Sequence, residues 1–217
     1  MASAGVIFDL DGVIVDSEPL QHRAYNRVLE QFGVRVEHAE YGREWIAAGR
    51  GPEYAVRTYA LPVTADELRR LKDPVYHSLL REEGGLVAGA REALARLSAV
   101  FPVALATNSS QTDTNFILER FDLGCFFTAV VTREQYRDPK PAPDAFRTAA
   151  ARLQLAPERC VVIEDAYKGV VAASDAGCAC IAFPHDYTVG NDFSRARVVI
   201  GSLDDATVEL IERLMET

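Results

Sequence analysis

Asp9 and Asp11 stand two residues apart, directly after the apolar run Val6, Ile7, Phe8 and directly before Gly12. In an extended chain, side chains at i and i+2 leave on the same side, so both carboxylates face one point in space. Two carboxylates that close repel each other unless a cation sits between them or one keeps a proton, and either outcome is chemistry. A hard, oxygen-seeking ion such as Mg2+, bound by one or two carboxylates, water and a phosphate, is the natural guest. A solvated acidic loop is the commoner meaning of Asp-x-Asp. The position after a buried strand favours the chemical meaning, because open parallel sheets bind ligands beyond the carboxyl ends of their strands.

Three further stretches have the same form. Thr107-Asn108-Ser109-Ser110 follows the apolar run at 103–106 and offers a hydroxyl, an amide and turn-prone N–H groups suited to phosphate oxygens. Ser109, Ser110 and Thr112 can also cap a helix, and for Ser109 and Ser110 capping is the preferred reading. Lys140 lies among prolines in Asp138-Pro139-Lys140-Pro141-Ala142-Pro143, a stiff loop; a cation fixed over a developing phosphoryl charge is worth far more than a mobile one. A second acidic pair, Glu164-Asp165, ends the run at 160–163, and Gly169 opens the helix after it, where a missing side chain lets helix and sheet approach.

The elements that must carry these groups alternate regularly from residue 86 onward. Helical spacing predicts helices at 89–97, 112–121, 144–153, 168–176 and 204–215, and short apolar runs predict strands at 103–106, 129–131, 160–163, 179–183 and 198–200. Such alternation means an α/β fold, a doubly wound parallel sheet with right-handed crossovers and helices on both faces. Residues 17–85 break the pattern. Leu20, Ala24, Val28, Leu29 and Phe32 recur at helical spacing up to Gly33, and helical patterns continue through Tyr41, Trp45, Ile46, Leu68, Val75 and Leu79. That block is too long for a crossover. The expected organisation is a Rossmann-like catalytic core of residues 1–16 and 86–217 with an inserted all-helical subdomain, 17–85, hinged near 15–18 and 82–85.

The 217 residues, 48% apolar and 25% charged, describe an ordinary soluble protein. A net charge of -9 disfavours nucleic acid, which draws on clustered Lys and Arg. No apolar stretch approaches the ~18 residues of a membrane span, and no signal-peptide pattern opens the chain, so the expected location is the cytoplasm. Cys125, Cys160, Cys178 and Cys180 lack metal spacing and lie in or beside apolar runs; they are read as buried reduced thiols. His22, His38, His77 and His185 are scattered, which argues against zinc.

Taken together, D-L-D-G-V-I-V-D-S-E at 9–18, A-T-N-S at 106–109, D-P-K-P-A-P-D at 138–144 and I-E-D-A-x-x-G at 163–169 resemble the haloacid dehalogenase (HAD) superfamily, in its helical-cap phosphatase and beta-phosphoglucomutase-like branch. The resemblance covers the whole chain and implies a Mg2+-dependent hydrolase of small phosphomonoesters. By that analogy Asp9 is the nucleophile that becomes an aspartyl phosphate, and Asp11 is the general acid, then the base that activates water. Thr107, Asn108 and Lys140 hold the transferring oxygens, Lys140 also offsetting charge near Asp9. Mg2+ is held by Asp9, the backbone carbonyl of Asp11, Asp165 and Glu164.

Asp11 argues for an oxygen leaving group and against dehalogenation. A phosphomutase is the alternative. Its relatives carry a His after the D-S/T-E stretch and a cap Lys/Arg pair that grips a second phosphate. Here Gln21 stands at the His position, and Ala48-Gly49-Arg50-Gly51-Pro52 leaves the Lys and Arg positions vacant, with Arg50 a partial substitute. The phosphatase is therefore preferred. Arg43, Arg50 and Tyr54 are expected to line the cap, with Tyr41 and Trp45 in its core. A phospho-acceptor switch similar to receiver domains is disfavoured by the inserted helices. The expected partner is a small phosphorylated metabolite, with no nucleic acid, no membrane, and a monomer or weak homo-oligomer.

Overall fold

The computed structural model describes residues 4–216. Strand β1 (Gly5–Phe8) is wholly buried and lies between β2 (Val103–Ala106) and β4 (Cys160–Glu164). With β3 (Ala129–Val131), β5 (Ala179–Ala182) and β6 (Val198–Val199) it forms a six-stranded sheet in the order β3-β2-β1-β4-β5-β6, every pairing parallel. These strands read as unbroken apolar runs because both faces are covered. Val6 and Phe8 join one apolar cluster with Leu105, Ile163 and Ile181, under helices α5 (Ala90–Ser98), α6 (Gln111–Arg120) and α9 (Val208–Met215). Ile7 points to the other face, with Ala104, Val162 and Cys180, under α7 (Asp144–Arg152) and α8 (Tyr167–Ala176).

The strand order reverses direction between β1 and β4, so the crevice of the sheet opens at their carboxyl ends. Asp9 and the pair Glu164-Asp165 emerge there side by side; the Asp9 N–H donates to the Ile163 carbonyl at 3.0 Å.

Between β1 and β2 the chain leaves the sheet and returns through two adjacent connections: Asp16 N–H donates to Gly85 O at 3.1 Å, and Val87 N–H to Ile14 O at 3.0 Å. The intervening helices are α1 (Glu18–Leu29), α2 (His38–Glu40), a π-helical stretch Tyr41–Ala47, α3 (Gly51–Thr58) and α4 (Ala65–Glu83). Gly33 stops the first run with a left-handed φ of 68°. Thr64 starts α4 through a capping box with Glu67. Tyr25, Leu29, Trp45, Ile46, Leu61 and Leu68 form a third apolar cluster within this block. Leu20, Ala24, Leu79 and Leu80, near the connections, pack instead into the cluster beneath the sheet.

Two expectations change. The closing helix starts later than residue 204, because Leu203–Asp205 forms a separate 3-10 turn and the Thr207 hydroxyl, accepting from Leu210 N–H at 3.2 Å, begins α9 afresh. Cys125 is exposed, since it falls on a short turn, Gly124–Phe126, and not on a packed strand; the other three cysteines are buried and all four are free thiols. Among the described residues no helix is long and apolar enough to cross a membrane.

Candidate active site

Four loops that follow strand ends deliver polar groups to one cavity of about 560 Å³, lined among others by Asp9, Asp11, Thr107, Asn108, Lys140, Glu164 and Asp165. Lys140 Nζ, buried, lies 2.5 Å from Asp9 Oδ1 and 3.0 Å from Glu164 Oε1, and donates to the Ala106 carbonyl at 3.0 Å. Burial pulls the Lys140 pKa down, but Asp9 and Glu164 more than offset this and hold it above the ordinary lysine value. Burial, only partly countered by Lys140, raises the Asp9 pKa, as do Glu164, Asp165 and Asp11. Asp165 is raised for the same first cause, burial, and then by Glu164.

Oxygens of Asp9, Glu164 and Asp165 all lie within 4.8 Å of one another, and all three residues are buried. With all three carboxylates ionised, the cluster exceeds the one ammonium by two negative charges, which is the charge of one divalent cation. The all-oxygen donor set suits Mg2+. The Asp11 carboxylate is not part of this cluster. Its Oδ1 accepts from Ser17 Oγ and its Oδ2 from Ser109 Oγ, each at 2.5 Å, so its side chain is oriented independently of the acidic group.

The loop after β2 is built on Thr107 and Asn108. Thr107 Oγ1 accepts from the Ser109 N–H at 2.9 Å. Asn108 Oδ1 accepts from the Lys140 N–H at 3.1 Å, which assigns the amide orientation and leaves its NH2 free to donate elsewhere, and the Tyr136 hydroxyl stands 2.7 Å from that oxygen and 2.8 Å from the Thr107 carbonyl. Burial pushes the Tyr136 phenol up to about 12, so it remains a donor. Ser110 is the helix cap, accepting from Asp113 N–H, whereas Ser109 turns to Asp11. Capping was therefore the wrong role for Ser109; only one residue can occupy the N-cap of α6, and Ser110 does.

The side of the cavity opposite the sheet is formed by Glu18, Gln21, Tyr25, Tyr41, Trp45, Arg69 and Lys72, among others. Arg43, Arg50 and Tyr54 do not line it; Arg43 and Arg50 both pair with Glu44 outside. Tyr41 and Trp45 lie in the third apolar cluster and also form cavity wall. A cation absent from the sequence reading of the cap also lines the cavity. Lys72 of α4 donates to Gln21 Oε1 at 2.9 Å and lies 3.0 Å from Asp73 Oδ1. Helical periodicity places Lys72 on a mostly apolar face but says nothing about which distant residue that face meets.

Sequence reasoning also passed over His185, Tyr136 and Ser17. His185 Nε2 lies 2.9 Å from Asp165 Oδ2, and burial holds the imidazole below its ordinary pKa. Of the three, His185 alone stands against a glycine of the motifs, Gly12; Gly169 stands against Glu164. A Cβ on Gly12, whose φ is +80°, would stand 2.7 Å from both Asp165 Oδ2 and His185 Nε2; one on Gly169 would stand 1.6 Å from Glu164 Oε1.

The family described as haloacid dehalogenase-like hydrolase matches residues 6–183. The chain is 35% identical over 176 residues to the phosphorylated carbohydrates phosphatase of Thermotoga maritima, covering 79% of this chain and 81% of that protein. It is 32% identical over 184 residues to the fructose-1-phosphate phosphatase YqaB of Escherichia coli, covering 80% and 93%. The crystal structure of CbbY from Rhodobacter sphaeroides in complex with phosphate superposes with a TM-score of 0.84 at 25% identity, over 98% of this chain and 100% of that one. With its strand order, its strand-end acidic groups and a match over most of its length, the chain belongs to the haloacid dehalogenase-like hydrolases.

Proposed function

We propose that this phosphoric monoester hydrolase removes phosphate from small phosphorylated metabolites, sugar phosphates first among them, through an aspartyl phosphate on Asp9. The observation that carries the reading is the buried clamp of Lys140 on Asp9 and Glu164, with Asp11 held separately beside it by two serine hydroxyls. Residues 17–85 serve as the cap that closes over the cavity and excludes water.

In this reading an Asp9 oxygen attacks phosphorus, the ester P–O bond breaks, and protonated Asp11 gives its proton to the departing alcohol oxygen. Asp11, now ionised, takes a proton from water as that water attacks the aspartyl phosphate, releasing inorganic phosphate and restoring Asp9. Thr107 and Asn108 donate to the equatorial oxygens, where preformed donors in a dry site cost no reorganisation. Lys140, held on Asp9, Glu164 and the Ala106 carbonyl, offsets negative charge beside Asp9 and reaches an equatorial oxygen by giving up one of these contacts. Asp9, Glu164, Asp165 and the Asp11 carbonyl would hold Mg2+, which supplies charge neutralisation between carboxylate and phosphate.

A mutase needs a second phosphate gripped at the cap. The cap cations that reach the cavity are already in contact with acids: Arg69 with Glu53 and Asp66, Lys72 with Asp73. This favours hydrolysis. Purified protein with Mg2+ is expected to release inorganic phosphate from a panel of sugar phosphates, and Asp9→Asn to lower the rate at least about a thousandfold. Interconversion of hexose 1- and 6-phosphates with little free phosphate would replace the reading with the mutase. Full activity in Asp9→Asn would remove the nucleophile.

A further inference from the structure

His185 lies on the loop after β5, outside all four motifs, and yet touches one of the three clustered carboxylates. The Tyr187 backbone N–H, which can only donate, lies 3.3 Å from His185 Nδ1. Nδ1 is therefore the acceptor, the ring proton resides on Nε2, and Nε2–H donates to Asp165 Oδ2 at 2.9 Å. The loop backbone that carries the ring is held in place: Thr188 Oγ1, fully buried, accepts the His185 N–H at 3.0 Å, and the N–H groups of Thr188 and Val189 both donate to the His185 carbonyl at 2.8 Å. Space for the pair depends on Gly12, since any β-carbon there would collide with both partners.

We propose that His185 is a positioning residue for the cation site: it commits one oxygen of Asp165 to the imidazole and so presents the other to the metal in a single orientation. The inference rests on Asp165 being a cation ligand, as argued above. Unaided, a terminal carboxylate rotates and can offer either oxygen, and the loss of such outer hydrogen bonds typically weakens metal binding 10- to 100-fold. The histidine does not line the larger cavity but a smaller one of about 310 Å³, with Gly12, Asp16, Phe183 and Asp186, so it meets the metal ligand from outside the space proposed for substrate.

The test is Mn2+ titration of the full chain without substrate, followed by electron paramagnetic resonance, for wild type, His185→Phe and His185→Gln. Phenylalanine keeps a flat ring without a donor; glutamine keeps an N–H at similar reach. His185→Phe is expected to weaken Mn2+ binding roughly 10- to 100-fold, with a metal-free melting temperature close to wild type and with kcat recovered at saturating Mn2+. His185→Gln is expected to bind close to wild type. Should His185→Phe not fold, His185→Ala is titrated with and without imidazole, which is expected to restore affinity by occupying the vacated space. Equal Mn2+ affinity in wild type and the donor-less variants would overturn the role of His185 and leave Asp165 as a ligand. A wild type that binds no Mn2+ would overturn the cation reading itself, and this inference with it.

Discussion

Lys140 is surrounded by more negative charge than it can balance, and the geometry around it is correspondingly rigid. Its ammonium is shared among Asp9, Glu164 and the Ala106 carbonyl, while Glu164 spends its second oxygen on the Ala166 N–H at 2.9 Å. Gly169 packs directly against this carboxylate. Glu164 is buried and bonded on both sides, so it cannot yield to an added methyl group. Gly169→Ala is therefore expected to destabilise the protein by about 1–3 kcal/mol and to lower kcat at least roughly tenfold, measured by chemical denaturation and phosphate release. A variant with wild-type kcat would show that Glu164 need not stay where the structure holds it.

Helix α4 does two jobs along its length. Near the connection its Leu79 and Leu80 pack into the cluster beneath the sheet, and a little earlier Lys72 reaches the cavity beside Gln21 of α1. One helix thus links the attachment of the inserted block to a polar group in the cavity wall. A charge-assisted hydrogen bond from Lys72 to a substrate hydroxyl would contribute about 1.5–3 kcal/mol. Lys72→Met is expected to raise KM for sugar phosphates roughly tenfold or more, while leaving kcat for a minimal aryl phosphate near wild type. Equal KM values would place Lys72 in the cap's packing alone. The loop carrying His185 makes a second link between cap and core: the Tyr187 ring sits 4.2 Å from that of His38 and 5.7 Å from that of Tyr41.

For the protein as a folded unit, the acidic cluster is a liability that a divalent cation relieves. Burial raises the pKa of both Asp9 and Asp165, so in the metal-free protein their ionisation opposes folding. Mg2+ binding only the folded state at one hundred times its Kd adds about 2.7 kcal/mol, or roughly 5–10 °C in Tm for a chain of this size. A thermal melt is expected to show that rise, its reversal by a chelator, and its loss in Asp165→Asn. An unchanged Tm at millimolar Mg2+ would remove the cation from the account.

The parts legible in the chain were those encoded locally. Short apolar runs mark strands buried on both faces, and the residue at which each run stops is where a strand tip meets solvent; Asp9, Thr107 and Asp165 could be found that way, and so could the helical block after β1. What local pattern cannot carry is which tip meets which loop. Ser109 reaches Asp11 across 98 residues of sequence, Lys72 reaches Gln21 across 51, and His185 reaches Asp165 across 20. Those meetings follow from the order in which the strands lie in the sheet and from how the helical block seats over it. A serine that caps and a serine that orients a carboxylate look alike until the neighbouring residue has claimed the cap.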